Sequence, residues 1–265
     1  MHHVPPLPHD FSQGVPGLLS AEGFDIAWTQ YMTLMMEKLN ALTAGTEYEQ
    51  KEVKTIVLNT AREPAEAPIF NHASMAHNNH FFFKRLSPKP VPVPESLRAA
   101  LEESFSSLET LRREFVVTAS AMFGPGFVWL VKVNSRDAAP AQANPFRLLT
   151  TYLAGSPYPG AHWRRQSVDR NTVAAGDPAA GPLAGPTTTS AAAATGTAGK
   201  TPAPGGIDIT PVLCLNTWEH VWLRDYGFGV GGYGGKRQFV EQWWETIDWE
   251  AVASDANITR PAYRR

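Results

Sequence analysis

A chain of 265 residues, 43% hydrophobic and 11% aromatic, carries enough apolar surface for one sizeable core or two smaller ones. Its 23 Lys and Arg against 25 Asp and Glu leave a net charge of −2, so it lacks the basic excess that grips nucleic acid over a wide area, and docking mainly on protein is expected. The single Cys214 excludes an intramolecular disulfide and reads as a buried, inert thiol, and no run of about 18 apolar residues offers a membrane span.

The opening Met1-His2-His3-Val4-Pro5-Pro6 lacks the Arg-rich, acid-poor character of a cleavable targeting presequence. From residue 20 to 43, Phe24, Trp28, Tyr31, Met35, Leu39 and Leu42 recur every three or four positions, which predicts an amphipathic helix whose stripe faces the core. A second helix is predicted from about Asn71 to Lys84, ended by the prolines between Pro88 and Pro94. Leu97, Leu101, Phe105, Leu108, Leu111 and Phe115 predict a third, starting after Pro94 with Glu95 near its positive end. Beyond Gly124 the period changes. Phe127 to Val133, Phe146 to Leu153 and Val212 to Trp218 read as three short strands of a small sheet, and Arg237 to Ile247 as a closing helix.

Two segments stand outside this pattern. Between Ala174 and Gly206, 30 of 33 residues are Ala, Gly, Pro, Thr or Ser, a composition that cannot bury enough apolar surface to order itself; a disordered, tolerated insertion is expected. Its flank, Tyr158-Pro159-Gly160-Ala161-His162-Trp163-Arg164-Arg165, sets aromatics beside basic residues and is expected to cover the sheet edge, with RNA stacking as the other reading. Gly227-Phe228-Gly229-Val230-Gly231-Gly232 fits G-x-G-x-x-G, yet a short helix rather than a strand is predicted before it, so it reads as a turn and not as a dinucleotide site.

The turn Asn216-Thr217-Trp218-Glu219-His220 resembles the Asp-x-Trp-Glu-His turn of the iron/manganese superoxide dismutases, in which the Asp and the His both bind the metal. Phe70-Asn71-His72-Ala73-Ser74-Met75-Ala76-His77-Asn78-Asn79-His80-Phe81-Phe82-Phe83 resembles, without a gap, the family's second-ligand pattern and places Asn79 on the ligand position. Counting on from Leu7-Pro8 and Ser20-Ala21-Glu22 places Ala27 on the first. The resemblance thus implies degenerate ligand positions at Ala27, Asn79, Asn216 and His220, of which only His220 keeps a strong donor. A redox iron or manganese centre needs several imidazoles and a carboxylate. No catalytic residue, metal or other cofactor is therefore expected. A rebuilt site would have to recruit His72, His77 or His80; a one-residue slip would bring His80 to the ligand position and still restore only two of the four ligands.

Other family positions have drifted too. The His and Tyr that gate the substrate funnel fall on Tyr31 and Met35, a second interface Tyr falls on Leu223, and the aromatic Trp pair on Phe127 and Trp129. The same segments, with Phe239-Val240-Glu241-Gln242-Trp243-Trp244-Glu245, resemble the fungal mitochondrial small-ribosomal-subunit proteins related to superoxide dismutase. That resemblance implies an α+β fold: an N-terminal helical hairpin domain at 1–92 and a C-terminal α/β domain at 93–265, with a small antiparallel three-stranded sheet and helices. It also implies a metal-free structural protein of the mitochondrial matrix ribosome that pairs with a second dismutase-like subunit and other ribosomal proteins, with limited or no direct rRNA contact. Glu219, His220, Tyr31 and Leu223 are the implied interface, since in the dismutases this Glu bridges to a ligand His of the other subunit. An active dismutase, or an interaction protein of the same fold outside the ribosome, are the alternatives.

Overall fold

The computed structural model describes residues 1–134, 145–158, 161 and 209–258. The Ala/Gly/Pro/Thr-rich insertion at 174–206 and His162 to Arg165 lie outside the described residues.

The first predicted helix is continuous but not uniform. Helix α1, Ala21–Phe24, is capped by Ser20, whose side chain accepts from Gly23 N; a π-helical stretch, Asp25–Gln30, leads into α2, Tyr31–Thr43. The wider π stretch rotates the residues after it relative to a regular helix, and such stretches gather at functional sites; Ala27 and Trp28 lie buried within this one. Helix α3, Val53–Thr60, was not foreseen, because its buried Ile56, Val57 and Thr60 make too short a stripe to stand out. Helix α4, Ala67–Phe83, starts a turn earlier than predicted, with Pro68 in its first turn where a missing N–H costs nothing.

The third predicted helix is two. Helix α5, Glu95–Phe105, ends at Ser106, whose φ of 68° breaks the helical path, and α6, Leu108–Ala121, restarts from Ser107, whose hydroxyl accepts from Thr110 N. A serine pair that can cap the backbone locally outcompetes an uninterrupted apolar stripe.

The sheet has the predicted three strands: β1, Gly126–Val133, β2, Phe146–Tyr152, and β3, Ile209–Asn216, in the order β2-β1-β3, all antiparallel. Phe127 stands opposite both Thr151 and Asn216, and Trp129 opposite both Leu149 and Cys214. A bulge at Leu130/Val131 lets β3 accommodate Pro211 at the sheet edge. Because β1 is central it is buried on both faces, and its Phe127, Trp129 and Leu130 anchor the main core with Phe82, Phe83, Phe115, Phe239 and Trp243. Trp218, predicted as the last strand residue, instead sits before helix α7, Glu219–Tyr226. The glycine-rich stretch follows that helix and not a strand, with Gly227, Gly229, Gly231 and Gly232 all at positive φ, so its G-x-G-x-x-G pattern serves a turn. Helices α8, Gly235–Glu245, and α9, Trp249–Asp255, close the chain.

Hydrogen bonds tie the N-terminal helices to the rest. Ser87 N donates to Thr246 O and Asp248 N to Arg85 O, both at 2.8 Å, and the Arg85 guanidinium pairs with Asp255. Ser20 N and Ser20 Oγ donate to the two carboxylate oxygens of Asp225 at 2.8 and 2.6 Å.

Candidate functional site

The turn leaving β3 is held from several sides. Thr217 donates to Gly126 O through both its backbone N and its Oγ1, each at 2.9 Å, Trp222 Nε1 donates to Thr217 O at 3.0 Å, and Trp218 Nε1 to Leu153 O at 3.3 Å. These bonds fix Asn216, whose side chain is fully buried. Its Oδ1 accepts from Trp218 N at 2.9 Å, and its Nδ2 donates to Asn79 Oδ1 at 3.0 Å. Asn79, from the C-terminal part of α4, donates in turn from Nδ2 to Ala27 O at 3.1 Å. Three of the four positions marked by the sequence, Ala27, Asn79 and Asn216, are thus joined in one buried row of amides.

His220 lies in the first turn of α7, face to face with Tyr31, with ring centroids 3.9 Å apart and planes at 11°. Trp218 flanks it at 5.7 Å. Its Nε2 is buried and, among the described residues, has no hydrogen-bond partner. Burial lowers its pKa to about 4 and raises that of Tyr31 to about 12, so both rings are neutral at physiological pH.

The donor set does not fit a redox metal. Ala27 offers no side-chain donor, and the amides of Asn79 and Asn216 are engaged with one another, with Ala27 O and with Trp218 N. One imidazole remains where such an ion takes several, and among the described residues no group of three His, Cys, Asp or Glu is placed to hold one. The neighbouring histidines do not turn in. His72 Nδ1 meets Pro68 O at 2.7 Å, His77 Nε2 meets the Tyr158 hydroxyl at 2.9 Å, and His80 packs by Trp28 with a hydrogen bond to the Pro6 backbone.

Glu219 is half-buried and, among the described residues, has no hydrogen-bond or ion-pair partner; its charge acts on Lys236, which donates to Met122 O at 2.7 Å. Leu223 is half-buried against the main core and Met35 lies inside it. Asp225, which the motif reading passed over, is the residue that fastens α7 to the start of α1. The only hint in the sequence was that it lies in the turn after Glu219 and His220.

The model of the C-terminal domain of iron/manganese superoxide dismutases matches residues 93–147 and 187–255. The chain is similar to the small ribosomal subunit protein mS43 of Schizosaccharomyces pombe, 29% identical over 89% of this chain and 78% of that protein. It is also similar to mS42 of the same yeast, 26% identical over 77% of this chain and 74% of that protein. An iron superoxide dismutase of Bacteroides fragilis is 24% identical over 95% of this chain and 97% of its own length. The antiparallel three-stranded sheet and the helical elements around it agree with these likenesses: the chain has a fold of the iron/manganese superoxide dismutase type.

Proposed function

We propose that the protein is a non-catalytic structural component of the mitochondrial small ribosomal subunit, working in the matrix and pairing with a second dismutase-like subunit. The observation that carries this reading is the Asn216-Asn79-Ala27 row, in which the positions of a metal centre hold amides that satisfy each other. The likeness to mS43 and mS42 over most of the chain supports the ribosomal assignment, and two dismutase-like relatives bearing ribosomal names make a paired assembly a natural form. Glu219 supports the pairing: a half-buried carboxylate with no hydrogen-bond or ion-pair partner among the described residues suits a bond across an interface. Tyr31, His220 and Leu223 complete the proposed interface.

The test is sedimentation of mitochondrial extract through a gradient, followed by metal analysis of the purified protein. Co-migration with the small subunit and a metal content far below one ion per chain are expected. An active superoxide dismutase is the second reading, favoured by the near full-length match to the Bacteroides fragilis enzyme. Near-stoichiometric iron or manganese with dismutase activity would establish it. Absence from the ribosomal fraction would point to an interaction protein of the same fold.

A further inference from the structure

Away from the amide row, at the seam between α3, the C-terminal end of α4 and Tyr158, lies a group of cations that the reading above does not use. Lys54 Nζ stands 4.7 Å above the Tyr158 ring. Tyr158 meets His77 through its hydroxyl, the His77 ring lies 6.3 Å from Phe81, and Lys84 Nζ stands 4.7 Å above that same Phe81. Arg85, buried behind them, also faces Phe81 at 4.8 Å and is paired with Asp255. Lys54 and Lys84 are both half-buried, and among the described residues neither has an ion-pair partner. Glu52 is the carboxylate whose charge reaches Tyr158. Burial, with repulsion from Arg85 and Lys54, lowers the Lys84 pKa to about 8. The His77 imidazole is neutral, its pKa lowered to about 3 by burial and by both lysines, and so adds no further positive charge.

Local structure does not account for the pair. Lys84 caps the C-terminal end of α4, where a cation is favoured, but Lys54 sits in the first turn of α3, where the helix dipole disfavours one. In a chain of net charge −2, two half-buried ammonium groups held on aromatic rings, with no ion-paired carboxylate among the described residues, form a site that an oxyanion would complete. We propose that Lys54 and Lys84 together bind a phosphate group of an RNA strand, a point contact and not a broad basic face. The choice of RNA as the phosphate carrier rests on the ribosomal reading; the phosphate chemistry rests on the site.

The purified full chain is titrated with a fluorescent 12-mer of oligouridylate at several salt concentrations, with Lys54→Gln/Lys84→Gln as the test variant. A Lys38→Gln/Lys89→Gln variant, matched in charge, removes two exposed lysines elsewhere. The test variant is expected to bind roughly tenfold more weakly and to lower the salt slope by about 0.7, the share of one phosphate contact on a single strand. Circular dichroism and melting verify that it folds; should it not, Lys54→Gln alone, near the start of α3, must still weaken binding and flatten the slope. Competition by millimolar inorganic phosphate would support the site as a phosphate binder in its own right. Equal losses in both double variants, or competition by oligoglutamate as strong as by RNA, would overturn the proposal. So would oligouridylate binding that neither lysine affects. Failure here leaves the gradient result standing, because that test does not depend on RNA contact.

Discussion

The imidazole of His220 lies flat on the phenol of Tyr31, 3.9 Å between centroids, with a buried Nε2 that has no partner among the described residues. The two rings come from the first turn of α7 and the first residue of α2, so the stack joins the N-terminal helices to the turn after the sheet. At a position that the resemblance marks for a metal ligand, the imidazole is packed against a phenol.

That stack makes stability depend on pH. The folded His220 pKa is lowered to about 4 by burial, below the ordinary 6.5, so between those values the unfolded chain binds more protons than the folded one. Stability should therefore be full above about pH 6.5 and decline as the pH falls toward 4, with His80 adding to the decline because burial lowers its pKa likewise to about 4. His220→Phe keeps the stack and removes the orphan nitrogen. Its urea midpoint should depend less on pH, by an amount of order 1–3 kcal/mol across this window, at about 1.4 kcal/mol per pKa unit. An unchanged pH profile would count against a buried neutral imidazole.

The amide row should behave as a unit. Asn79→Ala strands the Asn216 Nδ2 donor and opens a void beside Ala27, and a cost of about 2–4 kcal/mol is expected. Asn216→Asp is nearly isosteric but replaces a donor with a buried carboxylate oxygen facing Asn79 Oδ1, and should also destabilise at pH 7, by roughly 2–4 kcal/mol. Chemical denaturation measures both. A double variant whose loss equals the sum of the two would mean that they are not coupled.

Gly23 is required by Asp225 and not by its own backbone. A Cβ at Gly23 would lie 2.2 Å from Asp225 Oδ2, the oxygen that accepts from Ser20 N. Gly23→Ala should expel Asp225 and lose both Ser20 bonds, at a net cost of about 1 kcal/mol after the helical gain of alanine. In an Asp225→Ala background the same change should be neutral or stabilising, which a double-mutant cycle reads directly.

Glu219→Ala separates folding from pairing. With no partner for Glu219 among the described residues, the substitution should alter the stability of the isolated chain by less than about 0.5 kcal/mol. It should weaken association with the proposed dismutase-like subunit by roughly tenfold or more, as expected for a desolvated charge left without its bond. Analytical ultracentrifugation of the mixed pair measures this, and unchanged association would remove Glu219 from the interface.

The sequence by itself determined which side chains stand at the positions that the resemblance marks for metal ligands. Ala27, Asn79 and Asn216 are chemical identities, and no fold turns an alanine or a buried amide into a strong metal ligand. It determined the three strands as well, because Phe127 to Val133 and its partners carry a period and a composition that a helix would not. The split at Ser106 and the short α3 were less legible, since a hydroxyl cap and a two-turn stripe are weak signals beside a long apolar repeat. Only the tertiary structure decided what the surviving groups do. Asn79 meets Ala27 across 52 positions, Asn216 meets Asn79 across 137, and Ser20 meets Asp225 across 205. Lys54 and Lys84, 30 positions apart, are linked only through Tyr158, His77 and Phe81, on which the proposed phosphate site rests. Residue type sets which bonds a side chain can make, and burial of the core chooses which of them it does make, because a polar group withdrawn from water must take the partner that packing brings to it.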